Sequence, residues 1–304
     1  MEPHRVSVLP LTPMRIVSLA CSNTEIVHAL GCSHLLVGVD DHSDHPAEIL
    51  RSLPRVGPDL EIDVEKVRAL EPDLVLASLT VPGHETVVEG LEAAGLPHLV
   101  LAPQSLGEIY ENIRLLAGRL ESEGEPGVQA RGEELVRQMQ AELGPTSPPR
   151  KESATAPATR DSPAREVDAD PAPKILIQWW PKPVISPCGR SWVNPLLDRA
   201  GARNPLAGEP RPSRPVDDAE VAELAPEAIV IAWCGVDPQN YRPDVVYGNP
   251  AFQGVPAVEN RRVFCIPEAY LGRPGPRLVD GVKALRRVVA ACQGSPRDAS
   301  EDLP

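Results

Sequence analysis

Apolar residues in this chain fall into short unbroken runs separated by stretches with helical spacing, and this alternation continues along most of its length. In the first half, Arg15–Leu19, Leu35–Val39, Leu74–Ser78 and Pro97–Leu101 read as strands. In the second half, Lys174–Trp179, the run ending at Ala232, and Arg262–Ile266 read likewise. Strands apolar on both faces belong in parallel sheets covered by helices, with right-handed crossovers. Helices are predicted between them. The first carries Ser22-x-x-Glu25 as a capping box and stops at Gly31, and another opens with Ser105-x-x-Glu108 and runs to about Leu120. Others cover residues 63–70, 85–94, 192–200 and 276–292, whereas Asp40–Pro58 reads as a long polar loop. Gly127–Leu143 reads as a separate helix, with Val128, Leu135, Val136 and Met139 at roughly helical spacing.

One segment occurs twice. Asp63 to Ser78 and Asp217 to Ala232 each read as an Asp cap, a short helix, a Leu-x-Pro-acid stop and a continuous apolar strand. Proline cannot continue a helix, and the residue before it leaves the helical region. The repeat predicts an α/β fold of two similar lobes, with parallel-rich sheets flanked by helices and a ligand cleft between the lobes. The expected organisation is a loose extension at 1–13, an N-terminal lobe at 14–125, a bridging helix at 126–143, an insert at 144–173, a C-terminal lobe at 174–292 and a tail at 293–304. The insert is rich in Pro, Ala, Ser and Thr and nearly lacks large apolar residues. It is expected to be disordered, because it cannot bury enough surface to offset its ordering entropy.

Composition narrows the function. With 304 residues there is room for two cores, and a net charge of −13 argues against nucleic acid or an anionic membrane as partner. No apolar run approaches the ~20 residues of a membrane-spanning helix. The six Cys are scattered without a CxxC pair and read mostly as small buried thiols. Ser18-Leu19-Ala20-Cys21 loosely resembles a lipoprotein cleavage site, but Arg15 interrupts the apolar stretch and the segment doubles as the first core strand. The sequence thus reads as lacking a convincing export signal, which by itself leaves the chain in the cytoplasm. There is no Gly-x-Ser-x-Gly, phosphate-binding glycine loop or His-Glu-x-x-His, so the expectation is a binding protein and not an enzyme.

The candidate ligand residues follow strand ends, where open α/β sheets hold ligands. Aromatics make up 3% of the chain, yet all four Trp lie in the second half. Trp179, Trp180 and Trp233 come at or just past strand C-termini, either as a flat wall for a macrocycle or as core. Trp192 reads as a helix residue packing on its own lobe. Asp41, His42 and His45 lie in the run Asp40-Asp41-His42-Ser43-Asp44-His45. His42 and His45 could ligate a transition metal with an Asp, one could be an axial ligand to cobalt, or the loop could simply be solvated. Ser22, in Ala20–Asn23, could meet an anionic group beside a helix start or serve as a cap. Ser78 opens a rim segment that ends at His84, which reads as the first residue of the next helix.

The run Arg15-Ile16-Val17-Ser18-Leu19-x-x-Ser22-Asn23-Thr24-Glu25, the Leu70-Glu71-Pro72-Asp73-Leu74-Val75 stretch, Val56-Gly57-Pro58-Asp59 and Ile177-Gln178-Trp179 together resemble one family. It is that of the substrate-binding proteins of cobalamin and iron–siderophore ABC importers, and the likeness leans to the cobalamin branch. It spans residues 14–143 and 174–292. The resemblance implies two α/β lobes bridged by one long helix, matched by Gly127–Leu143, in a monomer. It implies cobalamin as bound ligand with no catalytic cofactor, Trp179 against the corrin ring, and Tyr270 as a further aromatic before the last helix. It also implies docking on a membrane permease through a surface Glu on each lobe. Glu65 matches the first; at the second the sequence reads Gly272, with Glu268 displaced beside it. Members are exported or lipid-anchored. The alternatives are a siderophore or haem held by Arg190, Arg214, Tyr241 or Tyr247, a cytoplasmic corrinoid carrier or sensor, and a metal-inserting chelatase using His42 and His45.

Overall fold

The computed structural model describes residues 13–144 and 172–294. The expected N-terminal extension up to residue 12, the insert from 145 to 171 and the tail from 295 lie outside the described residues. The chain forms two compact units. Among the described residues, one holds those up to Pro103 together with Glu111–Leu135; the other holds Gln104–Tyr110 and those from Val136 onward.

The first unit and the helices that leave it run β1 (Ile16–Ser18), α1 (Cys21–Ala29), β2 (Leu36–Val39), α2 (Ala47–Leu50), α3 (Val64–Ala69), β3 (Leu74–Ser78), α4 (His84–Ala93), β4 (His98–Leu101), α5 (Leu106–Ser122) and α6 (Val128–Leu143). Its sheet is parallel throughout in the order β2-β1-β3-β4. The two central strands are buried along their whole length, as their unbroken apolar runs require. α5 and α6 each contribute residues to both units.

Two local expectations change here. α1 begins at Cys21 after an Ala20 N-cap, so Ser22 and Glu25 lie inside the helix and form no capping box. The polar residues of this stretch are drawn into tertiary bonds instead. Asn23 Nδ2 donates to the Ala77 carbonyl at 3.0 Å, and Thr24 Oγ1 donates to Ser18 Oγ at 2.8 Å. The second capping box forms in altered shape: Ser105 Oγ accepts from the Glu108 N–H at 3.2 Å, while the Glu108 carboxylate reaches one residue beyond the cap and accepts from the Gln104 N–H at 2.7 Å. The Asp40–Pro58 loop contains the one-turn helix α2.

The second unit continues as β5 (Ile175–Gln178), β6 (Trp180–Pro181), β7 (Val184–Pro187), α7 (Val193–Ala200), β8 (Ser213–Val216), α8 (Asp218–Leu224), β9 (Ala228–Ile231), α9 (Asp244–Tyr247), α10 (Pro256–Glu259), β10 (Val263–Cys265), α11 (Glu268–Leu271) and α12 (Leu278–Gln293). Its parallel sheet has the order β10-β9-β5. A separate antiparallel sheet, β6-β7-β8, has no counterpart among the described residues of the first unit. Sequence patterning missed it because its strands are short and proline-rich: Pro181 and Pro187 end β6 and β7, Pro183 lies in the turn between them and Pro215 is within β8.

The repeat carries more than its outline. In both copies the residue before proline adopts a left-handed conformation: Glu71 and Ala225 each have φ 46°. The following acid then accepts from the N–H that precedes the unit's first strand, Asp73 from Arg15 at 2.8 Å and Glu227 from Lys174 at 3.1 Å. The basic side chain at that position reaches back to the helix-ending carbonyl. Arg15 donates to Leu70 O at 2.6 Å and Lys174 to Leu224 O at 3.0 Å, each placing a cation at a helix C-terminus. The copies differ at the start: Asp63 accepts from the Lys66 N–H at 3.1 Å, while Asp217 makes no side-chain cap. No disulfide joins any of the six Cys; Cys32 and Cys188 are buried and Cys234 is exposed. Among the described residues no helix is long and apolar enough to cross a membrane.

Candidate functional site

Parallel strands send their C-terminal loops to one edge of a sheet, so in the first unit the segments after β1, β2 and β3 emerge together. The loop after β2 is built around Asp40, whose side chain is fully buried. Its Oδ2 accepts from the His42 N–H at 2.9 Å and its Oδ1 from Ser43 Oγ at 2.5 Å. Arg55 closes the turn, donating to the Asp40 and Ser43 carbonyls at 2.7 Å each. Asp41 projects from this frame into solvent.

His42 Nε2 stands 3.8 Å from Asp59 Oδ1, and His84 Nε2 stands 3.6 Å from Asp59 Oδ2. His84 beside it holds the Asp59 carboxyl below the usual carboxylate range; burial opposes this and His42 adds to it. His84 is the first residue of α4, as its position in the sequence suggests, but it is buried and neither ring nitrogen makes a hydrogen bond. His45 is exposed and meets His28 edge-on at 5.7 Å. The two histidines expected to share a metal therefore have different neighbours. Among the described residues no group of three His, Cys, Asp or Glu side chains is placed to hold a metal ion. Ser22 and Ser78 are both buried, and Ser78 Oγ lies 2.9 Å from Thr80 Oγ1.

Sequence reasoning passed over the apolar part of this edge. Leu60, Leu79 and Val81 are large apolar side chains left exposed, and Leu60 lies against Gly83 in the loop that carries the other two. Leu79 and Val81 directly extend the β3 run, so their pattern alone reads as strand. Asp59 was visible only as part of the Val-Gly-Pro-Asp motif.

In the second unit the tryptophans separate. Trp180 lies in β6 with 42% of its surface exposed. Trp179, half-buried, packs at a tilt on Trp192 with 6.3 Å between ring centroids. Trp192 is core, as expected, and its indole N–H donates to Leu271 O at 2.8 Å. Trp233 is also core: it is 5% exposed, donates to Gln178 Oε1 at 3.0 Å and meets Tyr241 edge-on. It has little surface left for a wall. Tyr270 is half-buried, with the Arg277 guanidinium 4.9 Å from its ring centre.

The alternative polar ligands are largely engaged elsewhere. Tyr241 is buried; its hydroxyl donates to Trp233 O at 3.2 Å and accepts from the Glu268 N–H at 3.1 Å, and burial pushes its pKa up. The Tyr247 hydroxyl accepts from the Val263 N–H at 3.2 Å. Arg190 is exposed. Arg214 binds both Glu209 and Glu220, and the guanidinium holds the two carboxyls below their usual range. Arg214→Met should destabilise the chain by about 1–2 kcal/mol at neutral pH, a partly exposed network being worth less than a buried one. Because the Glu pKa values are depressed in the folded state, the stabilisation is complete above the ordinary Glu value of 4.5 and is lost as pH falls through the depressed values. Urea unfolding at pH 7 and pH 3 should show the gap between wild type and variant closing at the lower pH.

The two docking candidates also differ. Glu65 is a surface acid, with its side chain 76% exposed and Arg68 at 3.5 Å. Glu268 is not: its side chain is 15% exposed and Arg273 Nε donates to it at 2.9 Å. It folds over Gly272, where a Cβ would meet its Cγ at 2.9 Å.

Residues 16–270 match the periplasmic binding protein family, so the chain belongs to that family. It is 29% identical over 277 residues to the uncharacterized ABC transporter substrate-binding lipoprotein YvrC of Bacillus subtilis, covering 90% of this chain and 79% of the relative. Among solved structures, the vitamin B12 binding protein BtuF of Vibrio cholerae is 25% identical with a TM-score of 0.68, covering 92% of this chain and 98% of that one. A periplasmic heme binding protein from Pseudomonas aeruginosa is 28% identical with a TM-score of 0.71, covering 91% and 93%. The resemblance drawn from the sequence motifs and the family match agree.

Proposed function

We infer that this chain is the substrate-binding protein of an ABC importer and that its cargo is a corrinoid, with cobalamin the specific candidate. The observation that carries the ligand class is the exposed Trp180 ring, next to Trp179 at the C-terminal end of β5. A flat apolar surface at a sheet end suits a macrocycle. Tyr270, on the same unit, supplies a further aromatic contact. The engaged polar atoms of Arg214, Tyr241 and Tyr247 weigh against a siderophore held by those groups. Relatives known as vitamin B12-binding proteins support the same reading. Glu65 serves as a permease-docking acid; Glu268, tied to Arg273, does not. The chemistry asked of the chain is capture and delivery, with no catalytic step.

Titration with hydroxocobalamin, followed by calorimetry and visible absorbance, tests this. One-to-one binding is expected, and Trp180→Ala should weaken it roughly 10- to 100-fold, as expected for losing one ring's buried area and stacking. Binding of haemin with no response to cobalamin would overturn the corrinoid assignment.

A further inference from the structure

Asp59 is the charged centre of the loop edge in the first unit. Its carboxylate is about one-third exposed and is flanked by His42 and His84 at 3.8 and 3.6 Å. Those distances are attractive but too long for hydrogen bonds, so neither imidazole occupies an acceptor position on the carboxylate. His84 is the more informative neighbour. A buried imidazole with no hydrogen bond at either nitrogen is costly, and its Nε2 faces Asp59. This arrangement makes sense if Asp59 must remain ionised and aimed outward for a partner that arrives later.

The surroundings define that partner. Exposed acids adjoin each member of the cluster: Asp41 beside His42, Glu61 just after Asp59, and Glu85 beside His84. The nearby Arg55 guanidinium is turned onto the carbonyls of Asp40 and Ser43. The exposed Leu60, Leu79 and Val81 supply apolar surface on the same loops. A ligand edge fitted to this surface carries alkyl groups and N–H donors and no carboxylates, since like charges placed together repel.

We propose that Asp59 is a specificity-determining residue that accepts hydrogen bonds from the peripheral amide groups of the ligand and rejects macrocycles bearing carboxylates at that edge. The proposal rests on the corrinoid reading above and deepens it. A corrin periphery carries primary amides and methyl groups, whereas a haem presents two propionates. His84 acts through Asp59 as a positioning residue.

The test uses the full chain at pH 7.5 and four ligands: cyanocobalamin and the three monocarboxylates obtained by hydrolysing one peripheral propionamide each. Calorimetry should show at least one monocarboxylate binding roughly tenfold or more weakly than cyanocobalamin. In Asp59→Asn that difference should shrink towards unity, because asparagine still accepts from an amide but no longer repels a carboxylate. Circular dichroism of the variant confirms folding, and Asp59→Ser gives a second uncharged side chain for the same comparison. Equal affinity for all four ligands, or a difference unchanged in both variants, overturns the proposal while leaving the corrinoid reading intact. Failure of wild type to bind cyanocobalamin at all overturns both.

Discussion

Trp192→Ala is expected to destabilise the second unit by about 3–5 kcal/mol, the range for truncating a buried large aromatic side chain. Trp192 lies at the start of α7, is buried, packs on Trp179 and donates its indole N–H to Leu271 O at 2.8 Å. Alanine removes the ring, leaves a cavity under Trp179 and leaves the Leu271 carbonyl, buried in α11, without its donor. Trp192→Phe separates these effects. It keeps most of the ring volume but deletes the N–H, and should cost about 1–3 kcal/mol, mainly from the unsatisfied carbonyl. Urea unfolding monitored by circular dichroism reads both values. A loss below 1 kcal/mol for the alanine variant would show that Trp192 is not the anchor of the 268–271 segment. Because α11 contains Tyr270, ligand binding should weaken in the alanine variant even where the unit remains folded.

Gly281→Ala should also destabilise, by about 2 kcal/mol, although alanine is the better helix former by ~1 kcal/mol. A Cβ at position 281 would sit 2.1 Å from the Tyr270 carbonyl oxygen and 3.0 Å from a Leu271 methyl carbon. α12 cannot retreat cheaply, since Leu278, Val282, Leu285 and Val288 on the same helix are fully buried. The backbone of α11 must therefore move, and Tyr270 with it. Gly118→Ala in α5 is the matched control. Its Cβ would meet nothing within 4 Å, so the ordinary propensity gain should appear as slight stabilisation. Thermal unfolding of both variants gives opposite signs if close helix approach, and not helix propensity, governs position 281.

Much of the architecture could be read before the structure was in view. The strand runs at Leu74–Ser78 and Lys174–Trp179, the latter observed as Ile175–Gln178, were legible because the runs are apolar on both faces. What remained hidden was short or carried by polar atoms. The sheet β6-β7-β8 has strands of two to four residues broken by proline, below what periodicity can detect. Ser22-x-x-Glu25 matched a capping box, yet Asn23 and Thr24 made their bonds to β1 and β3, and the helix began one residue before the predicted cap. At the candidate site, adjacency misled in both directions. Trp179 and Trp180 are neighbours in the chain but differ in exposure, and His42 and His45 share a loop but not a partner.

The sequence by itself determined the long parallel strands, the main helices between them, the repeat and the family. Leu70-Glu71-Pro72-Asp73 and Leu224-Ala225-Pro226-Glu227 stop their helices for a local reason: proline has no N–H to donate and restricts the residue before it. Tertiary structure alone decided how polar and aromatic side chains were used. Trp233 became core through Gln178 and Tyr241, Glu268 was removed from the surface by Arg273, and Asp59 was set between His42 and His84. Periodicity encodes which face of an element is apolar, but the partner of a polar atom is whichever group the completed fold brings within about 3–4 Å.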